Sequence, residues 1–471
     1  MITEMSKTKD KKIKLKMSHL TRVQRVELDA CMLCGACVEV SPIFEEIGKE
    51  SVTCRGKIQA LKKFVKANYG IRASLFGPRP VREKDVDEFV EALYSCTLCG
   101  ACSAVCEAKI STPELWEAAR ADMVASGKGP MPRQKTWPEL VKEKHNPYNQ
   151  PPEDRVKWLT EGARTQQIKG KQNLQRDGGG IVETMMPETQ YTSEKFIATA
   201  EAAGLPKGIL VDKADIAYFV GCTSAYKVTA LAKATVRIIA KTGTKFTMLG
   251  NEEYCCGSPL IRTGQLDQVR AVVKHNVEAL AAKGVKTVVF SCSGCYRTAL
   301  LDWPRYYGKL PFQLMHITQF VAQKIKDGKL KIKKSYKEVV TYHDPCHLGR
   351  HVGVFADPRF ILKSIPGLRL VEMKRNKMNA RCCGAGGGVK AGIPELAMEM
   401  ATTRLKEAQE AKESSPVNTA GDRAEEAVET GATTLCTACP FCYVNLTDGI
   451  KAKGLKLKMY DIVLLLDELL Q

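Results

Sequence analysis

The chain has 471 residues, of which 44% are apolar and 26% are charged, so it is long enough for two or three globular domains with cores of their own. It contains no run of eighteen apolar residues, and we therefore expect no membrane-spanning helix. The formal net charge of +19 is compatible with nucleic-acid binding, but the basic residues are dispersed and no nucleic-acid-binding motif accompanies them, so we expect no nucleic-acid partner.

Residues 1–24 are predicted to be a basic tail, which begins MITEMSKTKDKKIKLK. The tail lacks the apolar stretch of a signal peptide and the paired arginines of a twin-arginine signal, so we expect a cytoplasmic protein. A solvated tail is the simplest interpretation, and contact with an acidic partner or a membrane surface is the alternative. Nineteen cysteines in a chain without an export signal predict metal or redox chemistry rather than disulfides.

Residues 25–128 contain two similar cysteine runs, CMLCGACVEVSP from Cys31 and CTLCGACSAVCE from Cys96. The second run is C-x2-C-x2-C-x3-C, the bacterial ferredoxin pattern that holds a cubane 4Fe-4S cluster. Zinc is the weaker interpretation, because a four-cysteine zinc site usually has two separate C-x2-C pairs. The apolar residues of PELWEAARADMV have helical spacing, and we predict a small helical ferredoxin-like domain with two 4Fe-4S motifs.

One of the two predicted ligand sets in this domain is complete and the other is not. The fourth cysteine of each ferredoxin run binds the other cluster. The complete set is Cys31, Cys34, Cys37 and Cys106, and the incomplete set is Cys96, Cys99 and Cys102. Ser41 stands where the first run should supply its fourth cysteine. We favour Cys54 as the substitute ligand, and an iron bound by Ser41 or by only three protein ligands is the alternative.

Residues 129–211 are predicted to form an extended linker. The first part of this segment is rich in proline and a QRDGGG sequence follows, which is a poor composition for a compact domain. We expect Trp137 and Trp158 to be packed, and nothing in the local sequence assigns them a chemical role.

From residue 212 the sequence indicates alternating strands and helices, and the whole pattern occurs twice. DIAYFVGC, KFTML and KTVVFSCSGCY are predicted strands with their following loops, and EVVTYHDPC, LRLVEM and TTLCTACPFCY take the same order in the second half. LMHITQFVAQKI and KMYDIVLLLDEL end the two repeats in similar ways. We therefore predict two duplicated α/β lobes, residues 212–330 and 331–471, with a polar insertion at about 411–431 in the second.

Each repeat supplies five cysteines at corresponding positions, mostly where a strand ends. The two sets are Cys222, Cys255, Cys256, Cys292 and Cys295 in the first repeat and Cys346, Cys382, Cys383, Cys439 and Cys442 in the second. Cys436 has no counterpart and is expected to be a free thiol. Five thiols exceed what one cubane cluster needs, and an adjacent pair can bring two sulfurs to one side of a cluster. The loops at strand ends thus predict an unusual multi-iron site in each lobe.

The arrangement of a cysteine, a Cys-Cys-Gly triplet and a C-x2-C pair resembles the cysteine-rich CCG domain of heterodisulfide reductases. The first repeat has 32 and 35 residues between these features, and the second has 35 and 55, the excess being the polar insertion. A ferredoxin pair followed by two CCG domains is similar to the layout of the D-type subunits of heterodisulfide reductase. HNPYNQPPEDRVKWL, NEEYCCGSPLIRTGQ and YHDPCHLGRH extend the resemblance to nearly the whole chain after about residue 25.

The resemblance implies an oxidoreductase in which two cubane clusters pass electrons to two noncubane 4Fe-4S clusters, with the ten lobe cysteines as ligands. The noncubane clusters would together reduce, or reversibly form, a disulfide, with Cys255, Cys256, Cys382 and Cys383 at the reacting site. The implied partners are a small disulfide or thiol substrate and a redox subunit, which can be a flavoprotein, a ferredoxin or a membrane cytochrome or quinone subunit. Such a partner would hold the chain at the inner face of the membrane.

Two other functions are compatible with parts of the sequence. An electron-relay subunit without its own substrate would not need two complete cysteine sets, and a zinc-stabilised scaffold would not explain them. GAGGGVKAG, which begins at Gly384, is a weak match to a nucleotide-binding pattern and follows a predicted cluster ligand, so we expect no bound flavin or nucleotide.

Several charged or titratable residues surround Cys346. His343, His347, Arg350 and His351 can supply protons or bind an acidic substrate, and the alternative is that they cap loops or donate to cluster sulfurs. We take His347 as the catalytic candidate among them, and we expect Asp344 to shape the turn before Pro345.

Overall fold

The structure is a computed structural model, and it describes residues 11–159, 193–411 and 431–470. Residues 1–10, residues 160–192 in the middle of the predicted linker, and most of the polar insertion at about 411–431 lie outside the described residues. The order of elements is a helical N-terminal part followed by two parts with parallel sheets, which confirms the predicted fold class.

Eight helices carry and surround the two ferredoxin-like motifs. They are α1 (Arg22–Ala30), α2 (Ala36–Glu39), α3 (Pro42–Ile47), α4 (Cys54–Tyr69), α5 (Ile71–Phe76), α6 (Glu83–Tyr94), α7 (Ala101–Ala104) and α8 (Thr112–Ala125). The long helices α4, α6 and α8 bury apolar residues such as Leu61, Phe89 and Trp116 against one another. Each motif forms a tight loop that leads into a one-turn helix, so its cysteines face one small volume.

The N-terminal segment is packed from residue 11 onward, which differs from the expected solvated tail. Strand β1 (Lys12–Ile13) pairs antiparallel with β2 (Val81–Arg82). Leu15, Met17 and Leu20 are buried. The reason is that these apolar residues, spaced between lysines, cover the helical core while the lysines remain at the surface.

The described part of the predicted linker consists of short helices. Helix α9 (Trp137–Lys144) and a 3-10 segment (Pro152–Leu159) come before the gap, and α10 (Ser193–Ala202) follows it. Trp158 is 1% exposed and belongs to the same core as the first lobe, and Trp137 packs on its edge. The linker therefore contributes to the core of the first lobe.

The first lobe has a three-stranded parallel sheet in the order β3 (Ile216–Phe219), β4 (Thr287–Phe290) and β5 (Gln313–His316). The predicted strand KFTML makes isolated parallel bridges, from Phe246 to Leu210 and from Thr247 to Ala217 of β3. The helices are α11 (Cys222–Tyr226), α12 (Thr229–Lys241), α13 (Ser258–Thr263), α14 (Val269–Ala282), α15 (Ser293–Leu301), α16 (Trp303–Tyr307) and α17 (Ile317–Lys326). Because helices cover the sheet, strands β3 and β4 are largely apolar and buried.

The second lobe repeats this topology with a complete fourth strand. Its parallel sheet has the order β7 (Arg369–Val371), β6 (Val339–Tyr342), β8 (Thr434–Thr437) and β9 (Lys458–Asp461). The helices are α18 (Ala356–Lys363), α19 (Val389–Gly392), α20 (Pro394–Gln409), α21 (Pro440–Lys453) and α22 (Ile462–Leu470). The carboxyl ends of parallel strands meet at one edge of a sheet, and this edge is where both lobes present their cysteines.

Over residues 11–159, 193–411 and 431–470, no helix combines the length and the apolar character that crossing a membrane requires.

Candidate metal centre

A cavity of about 530 Å³ lies between the two lobes, and cysteines from both lobes line it. The cysteines that line it are Cys222, Cys255, Cys256, Cys292, Cys295, Cys346, Cys382, Cys383, Cys439 and Cys442. These are all ten residues of the two predicted sets. Cys436 lies within β8, fully buried and away from the cavity lining.

The thiols of the first lobe form a continuous chain of hydrogen-bonding contacts. Cys222 donates to Cys255, and Cys255 donates to Cys256. Cys295 donates to both Cys256 and Cys292. Cys292 caps the start of α15 after β4, and its Sγ accepts from the backbone N–H of Cys295 at 3.5 Å. The first CCG set is therefore gathered around one point at the strand ends.

The second lobe has the same chain of contacts. Cys346 donates to Cys382, and Cys382 donates to Cys383. The Sγ atoms of Cys383 and Cys442 are 3.3 Å apart, and Cys442 also donates to Cys439. Cys292 of the first lobe donates to Cys439, so the two sets touch each other across the cavity.

The second cysteine of each Cys-Cys-Gly triplet is an acidic thiol. Hydrogen bonds from Cys255 and Cys295 lower the pKa of Cys256 to about 6. Hydrogen bonds from Cys382 and Cys442 lower the pKa of Cys383 well below its ordinary value. The thiolate is the form that binds metal. No carboxylate is found among the described residues that line the cavity, and a donor set made of thiols suits iron–sulfur clusters.

A second, smaller cavity lies in the helical part. Cys54, Cys96, Cys99 and Cys102 line it, and so does Ser41. Cys54 is 5% exposed and donates to both Cys37 and Cys102, so it lies between the two motifs. The Ser41 Oγ accepts from the backbone N–H of Phe44 at 3.4 Å and caps α3. Both candidates for the fourth ligand therefore adjoin the three cysteines of the second motif.

The remaining predicted ligands of the helical part lie closer to solvent. Cys34 is exposed, and Cys31, Cys37 and Cys106 are half-buried. Helices α2 and α7, which carry Cys37 and Cys102, pack side by side. The first motif is thus at the surface and the second motif is inside.

The second ferredoxin-like motif touches the second lobe. Cys99 donates to Cys382, and it is also close to Cys346. The backbone of the glycine-rich segment approaches the same motif so closely that a Cβ on Gly387 would lie 2.5 Å from the carbonyl oxygen of Cys96. GAGGGVKAG therefore serves close packing between the lobe and the motif, a role that its sequence pattern did not predict.

Comparison with known proteins identifies the family. The profile of the 4Fe-4S dicluster domain matches residues 27–110, and that of the cysteine-rich CCG domain matches residues 216–298 and 340–447. The D-type subunit of the dihydromethanophenazine:CoB–CoM heterodisulfide reductase of Methanosarcina barkeri is 43% identical over 457 residues, covering 96% of each chain. The chain belongs to this family of heterodisulfide reductase subunits. It is accordingly an iron–sulfur electron-transfer subunit of an oxidoreductase complex.

More distant relatives of this heterodisulfide reductase family member are named as other oxidoreductases or their subunits. One of the subunits of the CoM/CoB fumarate reductase of Methanothermobacter marburgensis is 30% identical over 94% of this chain and 72% of its own length. The EtfAB:quinone oxidoreductase of Syntrophomonas wolfei is 26% identical over 91% of this chain and 56% of its own length. The Methanosarcina and Methanothermobacter relatives are both named as subunits of oxidoreductases.

The charged side chains that line the cavity of this heterodisulfide reductase homologue are all basic. They are Lys227, Arg262 and Lys390. Arg262 is 3% exposed and its guanidinium pairs with Glu117 of α8 and Asp302 of the first lobe. Burial raises the pKa of Glu117 to about 8, and the nearby carboxylates of Asp302 and Glu114 add to the rise while Arg262 opposes it. These carboxylates offset the charge of Arg262, and Asp448 pairs with Lys390, so the cation that the lining offers without a carboxylate partner among the described residues is Lys227.

The charged and titratable residues around Cys346 make different contacts. His347 lines the cavity, and its Nε2 is buried without a hydrogen-bond partner in the described part of the chain. Burial, with a contribution from nearby His351, lowers the pKa of His347 well below its ordinary value. Arg350 donates to the backbone oxygen of Cys99 at 2.9 Å, and Asp344 pairs with Arg359. Arg350 therefore fastens the lobe to the second motif, and Asp344 is structural.

Two residues of the predicted linker belong to the site and were not singled out as site residues from the sequence. Arg155 donates from Nη2 to the Sγ of Cys222 at 3.5 Å and pairs with buried Glu253. Tyr148 lines the cavity and its hydroxyl lies 2.9 Å from the Oγ1 of Thr223. The family-like stretch HNPYNQPPEDRVKWL contains both residues, and it was the available signal.

Proposed function

We propose that this chain carries electrons through two cubane 4Fe-4S clusters to two noncubane 4Fe-4S clusters and reduces, or reversibly forms, a disulfide held between the lobes. One observation carries the proposal, namely that two complete five-cysteine sets line the same cavity. A relay subunit needs only one route for electrons. Cleavage of a disulfide instead leaves two sulfur atoms, and two facing cysteine sets can each bind one of them through a cluster.

The proposed ligands follow from the gathered thiols. The surface cubane would be held by Cys31, Cys34, Cys37 and Cys106, and the inner cubane by Cys54, Cys96, Cys99 and Cys102. Each noncubane cluster would be held by the five cysteines of its own lobe. When bound, these clusters supply single electrons at potentials that the surrounding hydrogen bonds and burial adjust.

The contacts between thiols support an order of electron transfer. The contact from Cys99 to Cys382 favours transfer from the inner cubane to the second lobe, and the contact between Cys439 and Cys292 favours onward transfer to the first lobe. The exposed first motif, with Cys34 at the surface, is where we expect a redox partner to exchange electrons with the chain.

The cavity lining supports an anionic disulfide as the substrate. Lys227, Arg262 and Lys390 line the cavity, and no carboxylate is among the described lining residues. Arg262 pairs with Glu117 and Asp302, and Lys390 pairs with Asp448, so Lys227 is the lining cation for which the described residues show no carboxylate partner. His347 is a neighbour of the reacting site that can orient the substrate by hydrogen bonding. Reduction of R–S–S–R′ consumes two electrons and two protons and gives two thiols, so the partner supplies electrons and the solvent-connected cavity supplies protons.

The test is the iron and sulfide content of anaerobically purified protein, with EPR spectra before and after addition of a thiol and an oxidant. We expect about sixteen irons per chain and a new paramagnetic signal that responds to the thiol. The same iron content without a response to thiol would favour an electron relay, and zinc in place of iron would exclude both functions.

Matched cysteine variants make this test specific. Cys256→Ala and Cys383→Ala each remove the acidic thiol of one lobe, and we expect each to abolish the thiol-dependent signal. Cys436→Ala removes a buried thiol outside the cavity and should leave the signal intact. An unchanged signal in both CCG variants would contradict the proposal.

A further inference from the structure

His343 lies beside the cysteines of the second lobe although it is not one of the predicted ligands. It follows β6 directly and is 1% exposed. One of its ring nitrogens and the Sγ atoms of Cys383 and Cys442 lie within 4.8 Å of one another. The side chain therefore belongs to the immediate surroundings of the cluster proposed for this lobe.

Arg404 decides which ring nitrogen of His343 carries the proton. The Nε of Arg404 donates to Nδ1 of His343 at 3.1 Å. A guanidinium can only donate, so Nδ1 must present its lone pair. A ring nitrogen that accepts a hydrogen bond carries no proton, so the proton of the imidazole is on Nε2.

The position of Arg404 is itself fixed. The residue is fully buried in α20, and its Nη1 donates to Glu407 at 2.5 Å and to the backbone oxygen of Arg375 at 2.8 Å. Nε2 of His343 is buried and has no hydrogen-bond partner within the described ranges. A buried N–H without a protein partner is costly, so a partner at this position is expected.

The same geometry argues against His343 as an iron ligand. A histidine binds metal through a lone pair, and the lone pair of Nδ1 is occupied by Arg404. Binding through Nε2 would require a proton on Nδ1, and that N–H would face the N–H of Arg404. The two sulfurs thus lie beside a ring that can offer them an N–H group but not a free lone pair.

We infer that His343 donates a hydrogen bond from Nε2 to the cluster sulfurs of Cys383 or Cys442 and thereby raises the reduction potential of the second-lobe cluster. The inference rests on the proposed function, because it needs a cluster in that lobe. A hydrogen bond to a thiolate withdraws negative charge from the sulfur, which favours the reduced and more negatively charged state of the cluster.

The first lobe has no histidine donor at the position that corresponds to His343. Phe219 precedes Cys222 by three residues, as His343 precedes Cys346, and it packs against Phe290 and Trp303. The first lobe has a different donor, because Arg155 donates to Cys222. The two clusters are therefore set to their potentials by different groups, and a change at His343 should act on one of them alone.

The test uses two variants of the full chain with reconstituted clusters. His343→Phe copies the residue of the first lobe and removes the donor, whereas His343→Gln keeps an N–H donor of similar reach. The readouts are iron per chain and EPR-monitored redox titration of each cluster. The first-lobe cluster in the same sample is the internal control, because its surroundings are unchanged.

We expect His343→Phe to weaken reduction of the second-lobe cluster about tenfold, which is ~59 mV for a one-electron couple. His343→Gln should restore most of this loss, and the other clusters should not shift. Equal potentials in all three proteins, an equal loss in both variants, or loss of iron from His343→Phe alone would each overturn the inference.

Pulsed EPR of the wild-type protein decides the case even where a variant fails to fold. Coupling to an exchangeable proton with only weak nitrogen coupling is the expected result for an N–H donor. Strong coupling to a directly bound nitrogen, or no exchangeable proton, would overturn the inference. Wild-type protein without second-lobe iron would instead reject the proposed function, so the two failures are distinguishable.

Discussion

At the scale of single residues, the structure bears on which residue is the fourth ligand of the proposed inner cubane. The sequence left Ser41 and Cys54 open, and both residues line the cavity beside the second motif. Their roles differ, because Ser41 already caps α3 while the thiol of Cys54 donates to Cys102. A soft thiolate is also the better ligand for a cluster iron than a serine hydroxyl.

Replacement of these two residues tests the assignment. We expect Cys54→Ala to lose the inner cubane, about four irons per chain. Ser41→Ala should keep its iron and lose at most about 1 kcal/mol of stability, because it removes only a helix cap. Iron analysis and the EPR signal of the reduced cubanes provide the measurement. Loss of iron from Ser41→Ala with full retention in Cys54→Ala would reverse the assignment.

At the scale of elements, the Cys-Cys-Gly loops show why glycine follows each cysteine pair. Gly257 and Gly384 have φ angles of +89° and +90°, a conformation that side chains with a Cβ rarely adopt. The surroundings of the two loops differ. A Cβ on Gly384 would lie 2.6 Å from the backbone oxygen of Ala397 in α20, whereas a Cβ on Gly257 would have only ordinary contacts, the nearest at 3.7 Å.

The two glycines therefore form a matched pair for substitution. Both Gly257→Ala and Gly384→Ala should lose about 1–2 kcal/mol from the shared backbone conformation. Gly384→Ala should lose a further ~1–3 kcal/mol, because the added methyl group meets the backbone of α20. Thermal or denaturant unfolding of both variants measures the difference. Equal losses would mean that α20 moves to accommodate the methyl group.

At the scale of the whole molecule, one buried arginine joins the three parts of the chain. Arg120 of α8 is fully buried and donates to the backbone oxygens of Cys96 and Gly387, each at 2.7 Å. It also donates to the backbone oxygens of Leu93 and Arg262. The helical part, the first lobe and the second lobe thus share one guanidinium, which lies beside the inner motif.

Removal of this guanidinium should loosen the whole assembly. We expect Arg120→Met to lower the free energy of unfolding by at least ~3 kcal/mol, because several buried carbonyl groups lose their donor. Arg133→Met, at an exposed position, should change it by less than about 0.5 kcal/mol. Denaturant unfolding followed by circular dichroism measures both. A loss in Arg120→Met no larger than that of the control would show that the three parts do not depend on this contact.

The sequence alone determined the features that depend on short stretches of chain. The ferredoxin runs, the two CCG sets and the strand after which each set begins are all encoded in local spacing and local apolar pattern, and the fold class followed from them. The duplication of the α/β lobe could be predicted for the same reason, since each lobe carries its own copy of the strand and cysteine pattern. The predicted strand KFTML was the exception, since it forms isolated bridges. A short apolar run does not show whether an adjacent strand will pair with it along its whole length.

Only the tertiary structure decided which of these local features meet. The ten lobe cysteines share one cavity because the two parallel sheets direct their carboxyl ends toward each other. Three contacts join residues far apart in the chain. They are the contact of Cys99 with Cys382, the packing of GAGGG against Cys96, and the hydrogen bond from Arg404 to His343. Spacing along a sequence carries no information about such distances, which are set by how the separate cores pack together.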